Sequence, residues 1–113
     1  MMDSKRSARV FSALSSDIRL NILDLVSAHK EMCICELVDQ LRMSQANISR
    51  HVSILRDAGV LLDRKLGTWV LVRVDEQALD AALRELTETI RANHRRSAQE
   101  NPEDRLAKRC VAA

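Results

Sequence analysis

Cys33 and Cys35 flank Ile34, and this Cys-x-Cys spacing is the feature of the chain with the plainest chemical content. Thiolates are soft donors, so two of them together suit thiophilic ions and disfavour hard, oxygen-seeking ones. A single free cysteine is often no more than a small buried apolar residue. A pair beside a helix N-terminus is different, because that position lowers thiol pKa and favours ligation or oxidation. The pair is expected at the start of a helix, since Ile34, Leu37, Val38 and Leu41 recur at the i, i+3, i+4, i+7 spacing of one apolar stripe. On an intact helix, residues i and i+2 point about 200° apart. Both sulfurs then reach one ion only if the first turn loosens, a conflict that a ligand-driven switch can use.

A second chemically loaded stretch follows. Ser44, Gln45, Asn47, Ser49, Arg50 and His51 lie on a segment whose Ile48, Val52 and Leu55 form a core-facing stripe, so the polar residues are expected to face outward. Gln and Asn can pair with adenine, Arg with guanine, and Ser with bases or phosphates. Recognition helices read DNA mainly with their N-terminal residues, and those are the polar ones here. An ordinary solvated helix face has a similar composition, so the surrounding elements decide. Arg42 and Met43 break the preceding helix, Ser44 is a good N-cap, and Gly59 follows as a stop. Two short helices joined by a short turn form a helix-turn-helix unit. Val60 to Leu66 and Trp69 to Val74 then flank Gly67–Thr68, as in a hairpin with a type II′ turn. A hairpin after a helix-turn-helix is a wing. Arg64, Lys65 and Arg73 lie at or near it, where cations meet phosphates or enter a minor groove. The plainer alternative is a set of strand-edge charges that discourages aggregation.

Upstream, Val10, Phe11 and Leu14 have helical spacing, and Ser15–Ser16–Asp17 offers N-cap chemistry for a second helix. That helix carries Ile18, Ile22, Leu25 and Val26 on one face and Leu20 and Leu23 on another, as expected of a helix covered on both sides. Downstream, Leu79, Leu83, Leu86 and Ile90 stripe a long helix from about Glu76 to Arg96. So small a core cannot cover that stripe, which makes it the expected dimer interface. Asn101–Pro102 is expected to end any helix. The sequence thus reads as a winged helix-turn-helix DNA-binding and dimerisation domain over residues 1–97, and a polar, mobile tail over 98–113. The fold class is mainly α with a small β-hairpin, winged helix-turn-helix, dimeric.

Composition bounds the function. The length of 113 residues allows one domain. Eighteen Lys and Arg against sixteen Asp and Glu leave a net charge of +2, so the case for a nucleic-acid partner rests on local placement. No apolar run reaches a membrane span and the opening residues lack a signal-peptide core, so a cytoplasmic protein is expected. In that reducing compartment the three cysteines read as thiols rather than a disulfide frame. There is no Cys-x-x-Cys, no Ser/His/Asp set and no paired-carboxylate pocket to support catalysis, so neither an enzyme nor a catalytic cofactor is expected.

Three stretches together carry a resemblance: Glu31-Met-Cys-Ile-Cys-Glu-Leu, Ser44-Gln-Ala-Asn-Ile-Ser-Arg-His and Asp63-Arg-Lys-Leu-Gly-Thr-Trp. Over about Val10 to Val74 the chain closely resembles the ArsR/SmtB family of metalloregulatory repressors, most of all its arsenical-resistance branch. The resemblance implies a homodimer on double-stranded operator DNA with an inverted repeat. It also implies release when As(III) or Sb(III) binds Cys33 and Cys35, controlling arsenic-resistance genes. Some members carry a further Cys three residues after the pair, where this chain has Val38. A three-sulfur site would therefore need Cys110 or a small cellular thiol, although Cys110 reads equally well as an incidental thiol. A Zn(II) site on the last helix is not expected, because Ala82 follows Asp80 where a ligand is needed and His94 stands alone, as does His29. The alternatives with the same fold are a Cd(II)- or Pb(II)-responsive repressor and a thiol-oxidation-responsive one.

Overall fold

Among the described residues, 2–98 and 101–110, the computed structural model contains six helices and three short strands. In chain order these are α1 (Ser4–Leu14), α2 (Asp17–His29), β1 (Met32–Cys33), α3 (Ile34–Leu41), α4 (Gln45–Asp57), β2 (Leu61–Leu66), β3 (Trp69–Val74), α5 (Glu76–Ser97) and α6 (Pro102–Cys110). The winged helix-turn-helix layout is present: α3 and α4 pack on each other, and β2 and β3 form the hairpin wing.

Local chemistry sets the boundaries. Asp3, Ser16, Ser44 and Asp75 each cap a helix by accepting a backbone N–H with a side-chain oxygen. Each such cap stabilises its helix by about 0.5–2 kcal/mol. Arg42 closes α3 in the left-handed region at φ 53°, which turns the chain toward Ser44. At the wing tip Gly67 takes φ 61° while Thr68 keeps a negative φ, the pattern of a type II′ turn.

The core is aliphatic. Ile22 and Val26 of α2, Leu37 of α3, Ile48 and Leu55 of α4, Val60, and Val72 of β3 have no exposed surface. Cutting Leu37 to Ala would cost about 2–5 kcal/mol and loosen the α3–α4 contact.

Three expectations are corrected. The sheet has a third strand, because Met32 and Cys33 pair antiparallel with Val72 and Leu71, giving the order β1-β3-β2. α2 is covered on one side only: Leu23 is half-buried, but Leu20 is 51% exposed. Asn101–Pro102 starts a helix within the tail. Asn101 Oδ1 accepts from Glu103 N at 3.0 Å, and Pro suits the first helical position, where its missing N–H is not needed. On α5, Ala82 is buried in the core beside α1, with Leu79 packed half-buried against it.

Lys30 ends α2 at φ 68°, ψ −47°, close to the rare and strained γ-turn conformation. Such a residue stores about 1–3 kcal/mol. It stands immediately before Glu31 and the thiol pair.

Candidate DNA interface and thiol site

α4 presents its polar face as its apolar stripe dictates. Ile48, Val52 and Leu55 are buried, while Ser44, Gln45, Asn47 and Arg50 are exposed. Ser44 Oγ accepts from Asn47 N at 3.2 Å, which fixes the start of the helix. Ser49 is half-buried and lines a groove between α4 and the wing, together with Ser53, Arg56, Arg64 and Lys65.

His51 does not face outward as expected. It is 8% exposed, and its Nδ1 lies 3.1 Å from Arg19 Nη1. Arginine has no acceptor, so Nδ1 accepts and the ring proton sits on Nε2. Burial pushes the His51 pKa down, and the charges of Arg19 and Arg50 push the same way. Arg19 also donates through Nε to the Ala13 carbonyl at 2.7 Å. His51 thus joins α4 to α2 and the end of α1.

In the wing, Lys65 and Arg73 are exposed, whereas Arg64 is engaged. Its Nε and Nη2 donate to the two Glu31 carboxylate oxygens at 2.8 and 2.7 Å. The Arg64 guanidinium holds the Glu31 carboxyl below its ordinary pKa and is itself pushed up. Trp69 and Leu66 pair across the tip, at 55% and 53% exposure. Sequence reasoning assigned no role to Glu31, Arg19 or Trp69. The first two act through partners far away in the chain, and only the exposure of Trp69 separates it from a core aromatic.

The thiol geometry replaces the expected conflict. Cys33 is not inside the helix: it is the N-cap of α3, with extended backbone at φ −74°, ψ 149°. Its Sγ accepts from Cys35 N at 3.3 Å, while Glu36 Oε1 accepts from Cys33 N at 2.9 Å. The Cys35 sulfur lies against Cys33 Sγ, so both sulfurs converge with α3 intact. An ion held about 2.3 Å from each of two sulfurs needs them no more than ~4.6 Å apart. Cys33 is buried and Cys35 exposed, which gives the pair one open side. The expected lowering of thiol pKa fails at Cys35. The Cys33 sulfur first, and partial desolvation second, push it up, and the backbone N–H of Glu36 only partly offsets them. Among the described residues no third His, Cys, Asp or Glu completes a metal cluster. The side chain of Cys110, at the end of α6, lies outside the described residues.

The α5 stripe divides. Leu79 is half-buried against its own core, whereas Leu83 and Ile90 are 49% and 45% exposed and Leu86 is half-buried. Among the described residues no helix is long and apolar enough to cross a membrane.

Comparison with known proteins agrees with this architecture. Residues 16–61, from the α2 cap to the start of the wing, match the model of the bacterial regulatory protein, arsR family. The chain is 38% identical over 100 residues to the arsenical resistance operon repressor of Escherichia coli, covering 82% of this chain and 86% of that one. It is 41% identical over 78 residues to an arsenic resistance transcriptional regulator of Pseudomonas putida, covering 66% of this chain and 61% of that relative's length. Its fold matches an ArsR-like transcriptional regulator from Rhodococcus at TM-score 0.75 and 26% identity, over 84% of this chain and 89% of that one. It also matches the homodimeric winged helix-turn-helix DNA-binding domain from Mycobacterium bovis at TM-score 0.62 and 24% identity, over 89% and 95%. The chain belongs to the arsR family of bacterial regulatory proteins, and is a DNA-binding transcriptional regulator rather than an enzyme.

Proposed function

We propose that this regulator is a homodimeric repressor that releases operator DNA when As(III) or Sb(III) binds Cys33 and Cys35, controlling arsenic-resistance genes. The observation that carries the reading is the convergence of the two sulfurs on the N-terminus of α3, the helix packed against α4. An all-sulfur donor pair fits soft, low-coordinate ions. The E. coli and P. putida relatives, named for arsenical resistance, point the same way. A third sulfur, from Cys110 or a small thiol, would complete the set.

Capture of an ion also supplies a route to release. Cys33 Sγ caps α3, and a sulfur bound to an ion is a poorer acceptor for the Cys35 N–H. Loss of a cap weakens a helix by about 0.5–2 kcal/mol, comparable with a coupling of ~1–3 kcal/mol between two binding sites. Gln45, Asn47 and Arg50 would read base edges, while Ser44, Ser49 and Lys65 would contact the backbone. The outward part of the α5 stripe, exposed Leu83 and Ile90 with half-buried Leu86, supports pairing of two copies, and thus an inverted-repeat operator. A repressor on operator DNA would act in the cytoplasm.

Contact between the thiols also favours a second reading, a sensor of thiol oxidation. Anisotropy titrations of operator DNA with As(III), Sb(III), Cd(II), Pb(II), Zn(II) and peroxide separate these readings. Release by As(III) or Sb(III) at the lowest concentrations is the expected result. Release by peroxide alone would replace the ion sensor with the redox one.

A further inference from the structure

Glu31 stands two residues before Cys33 and grips the wing. Its carboxylate takes two hydrogen bonds from Arg64, through Nε and Nη2, in a forked contact. β1 and β2 flank β3, so this pair crosses the whole sheet. Cys33, Leu71 and Arg64 form one cross-strand row: Cys33 pairs with Leu71, and Leu71 with Arg64. β1 has only two residues of ladder to fix its position, and Lys30, just upstream, is strained at φ 68°. The segment carrying Cys33 is therefore held by a strained joint at one end and by the Glu31–Arg64 pair across the sheet.

We infer that Glu31 is a positioning residue that carries occupancy of the Cys33–Cys35 pair to the wing, by making β1 and the β2–β3 hairpin move as one body. This rests on, and deepens, the reading of the thiol pair as the sensor. The side chains of Arg64 and Glu31 are 54% and 25% exposed, and exposed ion pairs add little to stability. The value of the pair is geometric: without it the fold survives, but a displaced Cys33 no longer displaces Lys65 and the hairpin.

Trp69 makes the inference measurable, because it is the single tryptophan of the chain and sits beside the wing turn, 55% exposed. The probe is phenylarsine oxide, which bridges two close thiols, with occupancy read by intact mass on the full chain. In the parent protein, occupancy should shift Trp69 emission in the absence of DNA and release bound operator. Glu31→Gln should bind the reagent and bind operator at least as tightly as the parent. Its Trp69 shift should be lost and its release factor should fall toward one. Arg64→Lys keeps the charge but loses the fork, and should reduce the Trp69 shift in the same way. An unchanged Trp69 shift and release in Glu31→Gln would overturn the inference, as would full release in the parent with Trp69 silent. A Trp69 shift that requires Glu31 but releases no DNA would uphold the link and contradict the sensor reading. Failure of the reagent to occupy the pair would contradict both.

Discussion

Arg19 Nη1 lies 3.1 Å from His51 Nδ1, so a guanidinium on α2 holds a buried histidine on the helix that faces DNA. A protonated His51 cannot accept this hydrogen bond and would meet the charges of Arg19 and Arg50, offset only in part by Asp17. Its folded pKa is depressed, so between the folded value and the unfolded value of about 6.5 the unfolded chain binds more protons. The stability from neutral His51 is complete above the unfolded pKa and is lost as pH falls through the folded one. Thermal unfolding followed between about pH 7.5 and 5 should show Tm falling on the acid side. His51→Gln, which keeps an acceptor but does not titrate, should flatten that fall. An equally steep fall in His51→Gln would move the acid sensitivity to other groups.

The α4 and wing residues should divide by kind of contact. Arg50→Ala or Gln45→Ala should cost about 1–3 kcal/mol on operator and little on random DNA, because base contacts are lost. Lys65→Ala should weaken both to a similar degree and flatten the salt dependence, because a phosphate contact is lost. Competition anisotropy at several salt concentrations measures both. Equal weakening of specific and random DNA by Arg50→Ala would remove its base-reading role.

How much of this was legible in the sequence follows from the range of each interaction. Ile48, Val52 and Leu55 announce α4, and Gly67 announces the wing, because helical period and turn chemistry are local. The two-residue strand β1 has no period to detect and exists only through Val72 and Leu71 of β3. That strand draws Cys33 out of the helix and makes it a cap, so the thiols meet where helix geometry alone sets them apart. His51 borders the apolar stripe, and its burial depends on Arg19, 32 residues away. On α5 the leucine spacing was plain, but the choice of Ala82 for the inner face depends on how closely α1 approaches.

Leu83 tests the assembly. It is 49% exposed and lies outside the core cluster, so Leu83→Lys costs the monomer fold little but buries two charges at any α5–α5 interface. Sedimentation at micromolar concentration should give a dimer for the parent and a monomer for the variant, with operator affinity lost alongside. A parent that sediments as a monomer, or a dimeric Leu83→Lys, would exclude this face.

The thiol pair tests the central claim most directly. Fluorescence anisotropy of operator DNA, with and without As(III), should be compared for the parent, Cys33→Ser, Cys35→Ser and the double variant. Serine retains a helix cap at position 33, so all four proteins should bind operator with similar affinity. The parent should weaken by roughly 5- to 150-fold on adding As(III), the range expected for ~1–3 kcal/mol of coupling. Each single variant and the double variant should lose that response, and Cys110→Ser should change it less. A full As(III) response in the double variant Cys33→Ser, Cys35→Ser would put the sensor elsewhere in the protein and contradict the account.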